Sequence, residues 1–392
     1  MGLTEMTAGR DDREARALEI QEVMEQLHTG KTGNILNNER NLEIVLTRDP
    51  LFIKGLVFNE FSGQITWDGE ELEDAHITEI RLGIGKTYQF TPSVPRAAEL
   101  IAYCAKRRGS HPLRDWLDSL VWDGKPRLAR LLLDYAGAED TILNAEMGRR
   151  FAIAAVARIY KPGAKVDTTL ILAGPQGAGK STFFRVLAGD EYFRDTPIDM
   201  RNKDAYIALK GAWLYEMAEL ASMRPRDAET VKAFLSAQTD HFRPPYGRCM
   251  VESPRQCVFV GTTNETGFLT DSTGARRFWP VQVGAEMKVI ELGRDRAQLW
   301  AEAVEAYKAG ERWWLEVNAE DDLREVHDQF SAEDPWGGVL ATWLENRVGP
   351  VTIGEILTDC MSVDVERQHK GMEMRTGGLL TAIGYRDRKS VV

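Results

Sequence analysis

A glycine-rich octapeptide, GPQGAGKS, occupies residues 174–181 and has the spacing GxxxxGK[ST]. It follows an apolar run, LILA, and precedes the helix-compatible segment TFFRVLAG. Glycines let the backbone curl so that successive N–H groups point inward, and a helix that begins there adds its free N–H groups and the positive end of its dipole. This pattern is typical of loops that bind the phosphates of a nucleotide.

The residue types in this loop indicate how ATP and Mg²⁺ would be held. Lys180 is expected to reach the β- and γ-phosphates, and the hydroxyl of Ser181 is expected to bind Mg²⁺. The other predicted nucleotide contacts are Gly174, Pro175, Gln176, Gly177, Ala178, Gly179 and Thr182. The alternative is an unrelated glycine-rich turn, but a strand before the loop and a helix after it favour phosphate binding.

A phosphate-binding loop needs an acidic residue at the end of a neighbouring strand to hold the metal and polarise water. Residues 213–215 are predicted to form such a strand, which ends in Glu216, and Glu219 follows three residues later. We assign Glu216 to the Mg²⁺ and water network and Glu219 as a candidate general base, although the sequence also allows the reverse. The alternative is a pair of solvated glutamates at a helix start. Asp199 and Asp204 are weaker candidates because neither follows an apolar strand.

Two further polar features follow along the chain. A strand at residues 258–261 leads to Asn264, whose amide could orient the attacking water, unless it is an ordinary turn residue. Arg276 and Arg277 then precede an aromatic strand. Either arginine could reach a γ-phosphate, usually that of a neighbouring subunit, and ordinary surface charge is the alternative.

The residues between Glu216 and Asn264 suggest a projecting hairpin. Tyr246-Gly247-Arg248 resembles a hairpin tip, and the return strand leads through Arg255 into the next predicted strand. An aromatic ring with arginines suits stacking and phosphate contacts on single-stranded DNA, whereas a purely structural hairpin is the alternative. The predicted DNA contacts are Lys232, Arg243, Tyr246, Arg248 and Arg255.

Alternating strands and helices must position these groups. Candidate strands at residues 168–174, 212–217, 257–264 and 278–283 alternate with helices after Lys180 and around residues 226–236. This alternation predicts an α/β fold with a parallel sheet.

Four regions are predicted along the chain. An N-terminal α+β region covers residues 1–95, a helical domain covers 96–163, and the ATPase domain covers 164–330. A winged-helix-like module is expected at 331–392, because three short helical patterns precede a Gly-Tyr-Arg turn.

Composition limits the classes of function. The net charge of −11 argues against a protein that simply coats DNA, but it allows a ring or cleft that gathers basic side chains locally. The four cysteines form no CxxC pair, which argues against a zinc site or a disulfide framework. No apolar run approaches the ~18 residues of a membrane span and no leader pattern is visible, so a cytoplasmic protein without membrane contact is expected.

The order of these motifs resembles the virulence-associated protein E family over roughly residues 40–285. The resemblance rests on the phosphate loop, LYEMAEL, KAFLSAQTDHFRPPYGR, VFVGTTNE and TGARRFWPV, together with HPLRDWLDSLVWDGKPRL upstream. These phage- and island-encoded ATPases look like superfamily 3 helicases of the AAA+ class. The resemblance therefore implies an AAA+-like core and an ATPase ring, often hexameric, that moves 3′–5′ on DNA during replication of a mobile element.

The same resemblance implies roles for individual residues. It places the nucleotide loop on Gly174 to Thr182, the acidic motif on Glu216 and Glu219, the hairpin motif on Lys232, Asp240, Arg243 and Arg248, the sensor on Asn264, and the arginine finger on Arg276 or Arg277. Many superfamily 3 proteins have adjacent acids where this chain has EMAE, so the assignment of the base stays open. Residues 1–150 lack the acidic metal-binding pattern of a primase, so priming, if it is needed, is expected to come from a separate primase or replication protein.

Three hypotheses follow. The favoured one is a DNA-dependent ATPase that works as a helicase, translocase or replication-initiation motor. The second is an ATP-gated module that binds DNA or a partner without unwinding. A small-molecule phosphotransferase is least favoured, because no acceptor site is recognisable and a hairpin precedes Asn264.

Overall fold

The computed structural model of the protein describes residues 10–200, 202, 204–217, 228–243, 250–265, 276–316, 322–323, 326–327, 329–330, 335–345, 347 and 349–385. Within these ranges, no helix combines the length and apolar character that crossing a bilayer requires.

The N-terminal part combines five helices with a small sheet. The elements are α1 (Arg10–Met24), α2 (Glu39–Arg48), α3 (Pro50–Gly55), β1 (Leu56–Asn59), β2 (Gln64–Trp67), β3 (Glu70–Glu71), α4 (Asp74–Tyr88), α5 (Val94–Lys106) and β4 (Gly109–Ser110). The sheet order is β3-β2-β1-β4, with β4 parallel to β1. Local chemistry sets the helix starts: the side chain of Asn38 accepts a hydrogen bond from the N–H of Asn41, and Asp49 caps α3 just before Pro50.

The central helices lead into the main sheet. They are α6 (Pro112–Ser119), a 3₁₀ turn at Leu128–Arg130, a π-helical turn at Leu131–Tyr135, and α7 (Ile142–Tyr160). Side chains of α6 and α7, such as Leu117 and Phe151, share one buried core with Leu170 of the main sheet. Ile101 of α5 instead packs in the separate core of the N-terminal part. The predicted domain boundaries at residues 95 and 163 stay predictions.

Within the described residues, the main sheet has five parallel strands. They are β5 (Thr169–Ala173), β6 (Phe193–Arg194), β7 (Leu214–Met217), β10 (Val258–Thr263) and β11 (Phe278–Gln282), in the order β11-β5-β10-β7-β6. The connecting helices are α8 (Lys180–Ala188), α9 (Asp204–Ala208) and α10 (Ala228–Ser236), and α11 (Val289–Lys308) follows the last strand. The parallel α/β sheet predicted from the sequence is confirmed, and each of the four predicted strands agrees with its observed bounds to within two residues.

A two-stranded antiparallel hairpin stands between α10 and β10. It consists of β8 (Thr239–Phe242) and β9 (Val251–Pro254), with Thr239 opposite Pro254 and Phe242 opposite Val251. The predicted hairpin is therefore present, and its tip at residues 244–249 lies outside the described residues.

The C-terminal part has a small core of its own around Leu340, Leu344 and Ile356. Its elements are α12 (Pro335–Glu345), α13 (Ile353–Glu355), which continues into a π-helical turn at Ile356–Cys360, a 3₁₀ turn at Val365–Arg367, and α14 (Lys370–Ala382). The described residues between 335 and 385 contain no strand that could form a wing. The winged-helix prediction is thus not confirmed.

A buried ion pair anchors the base of the hairpin. The guanidinium of Arg255 donates two hydrogen bonds to the Asp240 carboxylate, at 2.8 and 2.7 Å, and both side chains are almost fully buried. Arg255 also donates to the carbonyl oxygen of Phe234 and lies over the ring of that residue, 4.5 Å from the centroid. These contacts tie the return strand of the hairpin to α10.

We expect Asp240→Ala to lower the free energy of unfolding by about 3–5 kcal/mol, because it leaves the Arg255 charge buried without its partner. Urea unfolding followed by circular dichroism measures this change.

The matched control is Glu316→Ala, which removes an acid from the exposed pair with Arg312 (side chains 61% and 63% exposed). Its expected effect is below about 1 kcal/mol. Equal effects of the two substitutions would contradict an anchoring role for the buried pair.

Candidate active site

The phosphate loop lies between β5 and α8, as the sequence predicts. Gly177 and Gly179 have φ angles of 82° and 96°, in the left-handed region that favours glycine, and Gly179 is the N-cap of α8. At Gly174 a Cβ atom would lie only 2.7 Å from Cγ2 of Val283, the residue just after β11. The glycines at these positions are thus required by backbone conformation and by close packing.

Lys180 begins α8 and its side chain is only 7% exposed. Its Nζ donates hydrogen bonds to the carbonyl oxygens of Gly174 and Pro175, at 2.9 and 2.8 Å, and to Oδ1 of Asn264 at 2.8 Å. Burial lowers the pKa of the Lys180 ammonium, and the charge of Glu216 opposes that shift. The ammonium is therefore held between the loop and the end of β10.

A second set of contacts surrounds the carboxylate of Glu216, which is 3% exposed. Oε1 of Glu216 accepts a hydrogen bond of 2.8 Å from Oγ of Ser181 and another from Oγ1 of Thr262. The strand order brings these three side chains together. Strand β10 lies between β5 and β7, with Thr262 opposite Leu172 and Val260 opposite Glu216. The structure thus brings the predicted residues Lys180, Ser181, Glu216 and Asn264 to one edge.

The donor atoms around Glu216 suit Mg²⁺. A hydroxyl and a carboxylate are hard oxygen ligands, and Mg²⁺ bound with a nucleotide takes few protein ligands. The described part of the chain contains no group of three His, Cys, Asp or Glu side chains that could form an all-protein metal site. Ser181 and Glu216 are therefore the residues that would hold the metal, together with phosphate oxygens.

Comparison with known proteins identifies a family for this chain. The sequence model described as "Virulence-associated protein E-like domain" matches residues 117–332, more than half of the chain, and this range contains the whole site. The chain belongs to the virulence-associated protein E-like family. The search of curated proteins found no match.

Two solved structures that resemble this chain are of the same region of one protein. An apo structure of the NrS-1 C terminal region (305–718) is 15% identical in sequence, with a TM-score of 0.46, and the match covers 87% of this chain and 85% of that chain. The A form apo structure of the same region is 14% identical with a TM-score of 0.45, and covers 87% and 86%.

Other residues predicted for the site lie elsewhere. Arg276 and Arg277 precede β11, whose first residue, Phe278, is opposite Thr169 at the start of β5. They are therefore at the amino edge of the sheet, whereas the phosphate loop follows the carboxyl end of β5. Five residues of strand at about 3.3 Å each separate the two edges by roughly 15 Å.

Arg277 donates a hydrogen bond of 3.0 Å from Nε to Oγ of Ser236, next to the hairpin. Both arginines line a cleft of about 380 Å³ together with Lys165, Trp313 and Trp314. They belong to a surface that is separate from the phosphate loop of the same chain.

Two of the residues predicted to contact DNA are buried in the structure. Arg255 is 3% exposed and paired with Asp240, and Lys232 on α10 is 7% exposed, so neither side chain presents its charge to DNA. Arg243 is exposed at the end of β8. Glu219, Tyr246 and Arg248 lie outside the described residues, and their roles stay predictions.

Sequence reasoning missed Thr262. The signal that could have found it is its spacing, because Thr262 stands two residues before Asn264 at the end of β10. Alternate residues of a strand lie on the same face, so a hydroxyl at this position is expected to share the face of the amide.

We expect Gly179→Ala to lower the free energy of unfolding by about 1–3 kcal/mol, because alanine is strained at a φ of 96°. Urea unfolding measures this change. The control is Gly83→Ala on α4, where an added Cβ meets no atom within 4 Å and the backbone is helical. The control should be neutral or more stable by up to about 1 kcal/mol. A loss of the same size in both variants would refute conformational strain at Gly179.

Proposed function

We propose that this protein is an ATPase that acts on single-stranded DNA as a helicase, translocase or initiation motor in the replication of a phage or other mobile element. The observation that carries the proposal is the meeting of Lys180, Ser181, Glu216 and Asn264 at the carboxyl edge of β5, β7 and β10. Membership in the virulence-associated protein E-like family supports it.

The contacts around Lys180 indicate how a triphosphate would bind. The ammonium now bonds to the carbonyl oxygens of Gly174 and Pro175 and to the Asn264 amide oxygen. Charged phosphate oxygens would take the place of these neutral acceptors and would form stronger hydrogen bonds with the ammonium. The loop N–H groups and the amino end of α8 would stabilise the same phosphates.

Ser181 and Glu216 would hold Mg²⁺, which when bound neutralises charge on the phosphates. The side-chain amide of Asn264, released from Lys180, would orient the attacking water. A carboxylate, either that of Glu216 or that of Glu219, would accept the proton of this water. The residue that acts as the base stays open between these two.

The position of the paired arginines supports assembly of several copies. Arg276 and Arg277 lie at the edge of the sheet opposite the phosphate loop, so we expect neither to reach a nucleotide that the loop of its own chain would bind. If a guanidinium at the amino edge contacts a γ-phosphate, that phosphate belongs to a neighbouring copy. Such head-to-tail contacts form a ring when the rotation between copies closes, which is the assembly we propose. A hexamer is the ring size that the family resemblance suggests.

The hairpin is the proposed DNA contact. Arg243 is exposed where β8 ends, and the tip residues Tyr246 and Arg248 follow it. The pair of Arg255 with Asp240 fixes the base of the hairpin, so movement of the adjoining sheet would carry the tip with it.

A second candidate function is an ATP-gated module that binds duplex DNA or a partner without unwinding. The observation that favours it is the separate small core of the C-terminal helices around Leu340 and Ile356. On a forked duplex, ATP-dependent strand displacement supports the motor. ATP-dependent binding without displacement supports the gated module.

We expect single-stranded DNA to stimulate ATP hydrolysis by the wild-type protein. Lys180→Ala should reduce turnover at least about a hundredfold, because the phosphate charge loses its partner. A coupled ATPase assay with Mg²⁺ measures both effects, and circular dichroism verifies the fold. Lys308→Ala, which removes a half-exposed lysine remote from the loop, is the control and should retain turnover. Absence of turnover by the wild type with Mg²⁺ and DNA present would refute the ATPase.

We expect mixing of two inactive variants to restore ATPase activity. Lys180→Ala keeps the arginines, and the double variant Arg276→Ala/Arg277→Ala keeps the phosphate loop, so a mixed assembly contains some interfaces with both parts intact. The activity of mixtures at several ratios, compared with the sum of the separate variants, is the measurement. If each variant is inactive alone and no mixture exceeds that sum, the arginines do not act between subunits.

A further inference from the structure

We infer that Thr262 is a positioning residue that fixes the carboxylate of Glu216 for Mg²⁺ binding. This inference rests on the proposed function and adds a residue to its site. The Thr262 hydroxyl donates a short hydrogen bond to Oε1 of Glu216, and the two side chains are 9% and 3% exposed. A buried carboxylate depends on such donors, because few water molecules can replace them.

The backbone presets this contact. Thr262 lies on β10 and Glu216 on β7, and the parallel ladder between these strands pairs Val260 with Glu216 and Gly261 with Met217. Threonine is branched at Cβ, so its χ1 angle has few alternatives. The hydroxyl therefore faces the carboxylate without a loss of side-chain freedom when the metal binds.

The second donor to the same oxygen has a different task. Ser181 lies in the first turn of α8 and its residue is exposed, while its Oγ donates to the buried Oε1 of Glu216. In a phosphate loop this hydroxyl becomes a ligand of Mg²⁺. A hydroxyl can bind the metal through an oxygen lone pair and still donate its proton, so Ser181 would serve both the metal and Oε1. Thr262 is the donor to Oε1 whose only task at the site is to hold the carboxylate.

The two carboxylate oxygens of Glu216 therefore have different roles. Oε1 accepts both hydroxyl hydrogen bonds, whereas Oε2 makes no hydrogen bond to any residue that the structure describes. Thr262 prevents rotation of the carboxylate, so Oε2 stays available to the metal or to a water molecule on it. Loss of the Thr262 hydroxyl should weaken metal binding and slow hydrolysis, but it should leave metal-free nucleotide binding unchanged.

The test compares Thr262→Val, which has the same shape without the hydroxyl, with Thr262→Ser, which keeps the hydroxyl. Binding of fluorescently labelled ATP is titrated with Mg²⁺ and repeated in EDTA, and kcat is measured in parallel. For Thr262→Val we expect the half-saturating Mg²⁺ concentration to rise, and kcat to fall, by roughly tenfold, because a hydrogen bond to a charged group is lost. Affinity in EDTA should stay unchanged, and Thr262→Ser should restore both values to within about threefold.

Thr169→Val is the matched control. Thr169 is also buried in the sheet, at the amino end of β5, but its Oγ1 has no hydrogen-bond partner in the part of the chain that is described. Its replacement should leave the Mg²⁺ titration unchanged. This control separates the effect of the Thr262 contact from the general effect of replacing a buried threonine.

Two results would overturn the inference: a wild-type Mg²⁺ requirement in Thr262→Val, or a defect in Thr262→Ser as large as that in Thr262→Val. If Thr262→Val fails to fold, Thr262→Ala is compared with Thr262→Ser in the same titration, and equal Mg²⁺ requirements overturn the inference. A wild-type protein that binds ATP with Mg²⁺ but does not hydrolyse it would refute the proposed ATPase and leave the Mg²⁺ titration as a valid test of Thr262. A wild-type protein without Mg²⁺-dependent ATP binding would refute both.

Discussion

The parallel hydrogen-bond ladder that joins β10 to β5 and β7 is the constraint on which the site depends. It places Thr262 beside Leu172 and Val260 beside Glu216. The ends of three strands then lie at one edge, and the loop after β5 brings Lys180 and Ser181 there as well. A shift of one residue in this register would turn the side chains of β10 to the opposite face and separate Thr262 from Glu216.

Because the strands are parallel, the proposed phosphate- and metal-binding groups lie at one edge of the sheet and the paired arginines at the other. Groups that would hold the phosphates and the metal lie at the carboxyl edge, whereas Arg276 and Arg277 lie at the amino edge beside the aromatic cleft. A parallel sheet makes this separation unavoidable, because residues before a strand and residues after it cannot meet. In the proposed ring, the two edges of neighbouring copies would form one complete site.

The hairpin contains an arginine whose role depends on its burial. A sequence that combines arginines with a tyrosine indicates DNA contact, but Arg255 pairs with Asp240 and stacks over Phe234. The positive charge thereby becomes part of the core at the base of the hairpin. Exposed positions such as Arg243, together with the predicted tip, remain for DNA in the proposed function.

The sequence by itself determined the glycine-rich loop before α8, the four longer strands of the sheet and the existence of the hairpin. These features depend on local chemistry: glycine conformations, apolar runs and the spacing of turn residues act over a few positions. Only the tertiary structure decided that Thr262 donates to Glu216, that Arg255 is buried, and that the paired arginines lie at the opposite edge of the sheet from the loop of their own chain. Those facts depend on strand order and register, which arise from contacts between residues far apart in the chain. The spacing of Thr262 and Asn264 indicates a shared face of one strand, but it does not tell which side chain of another strand lies opposite.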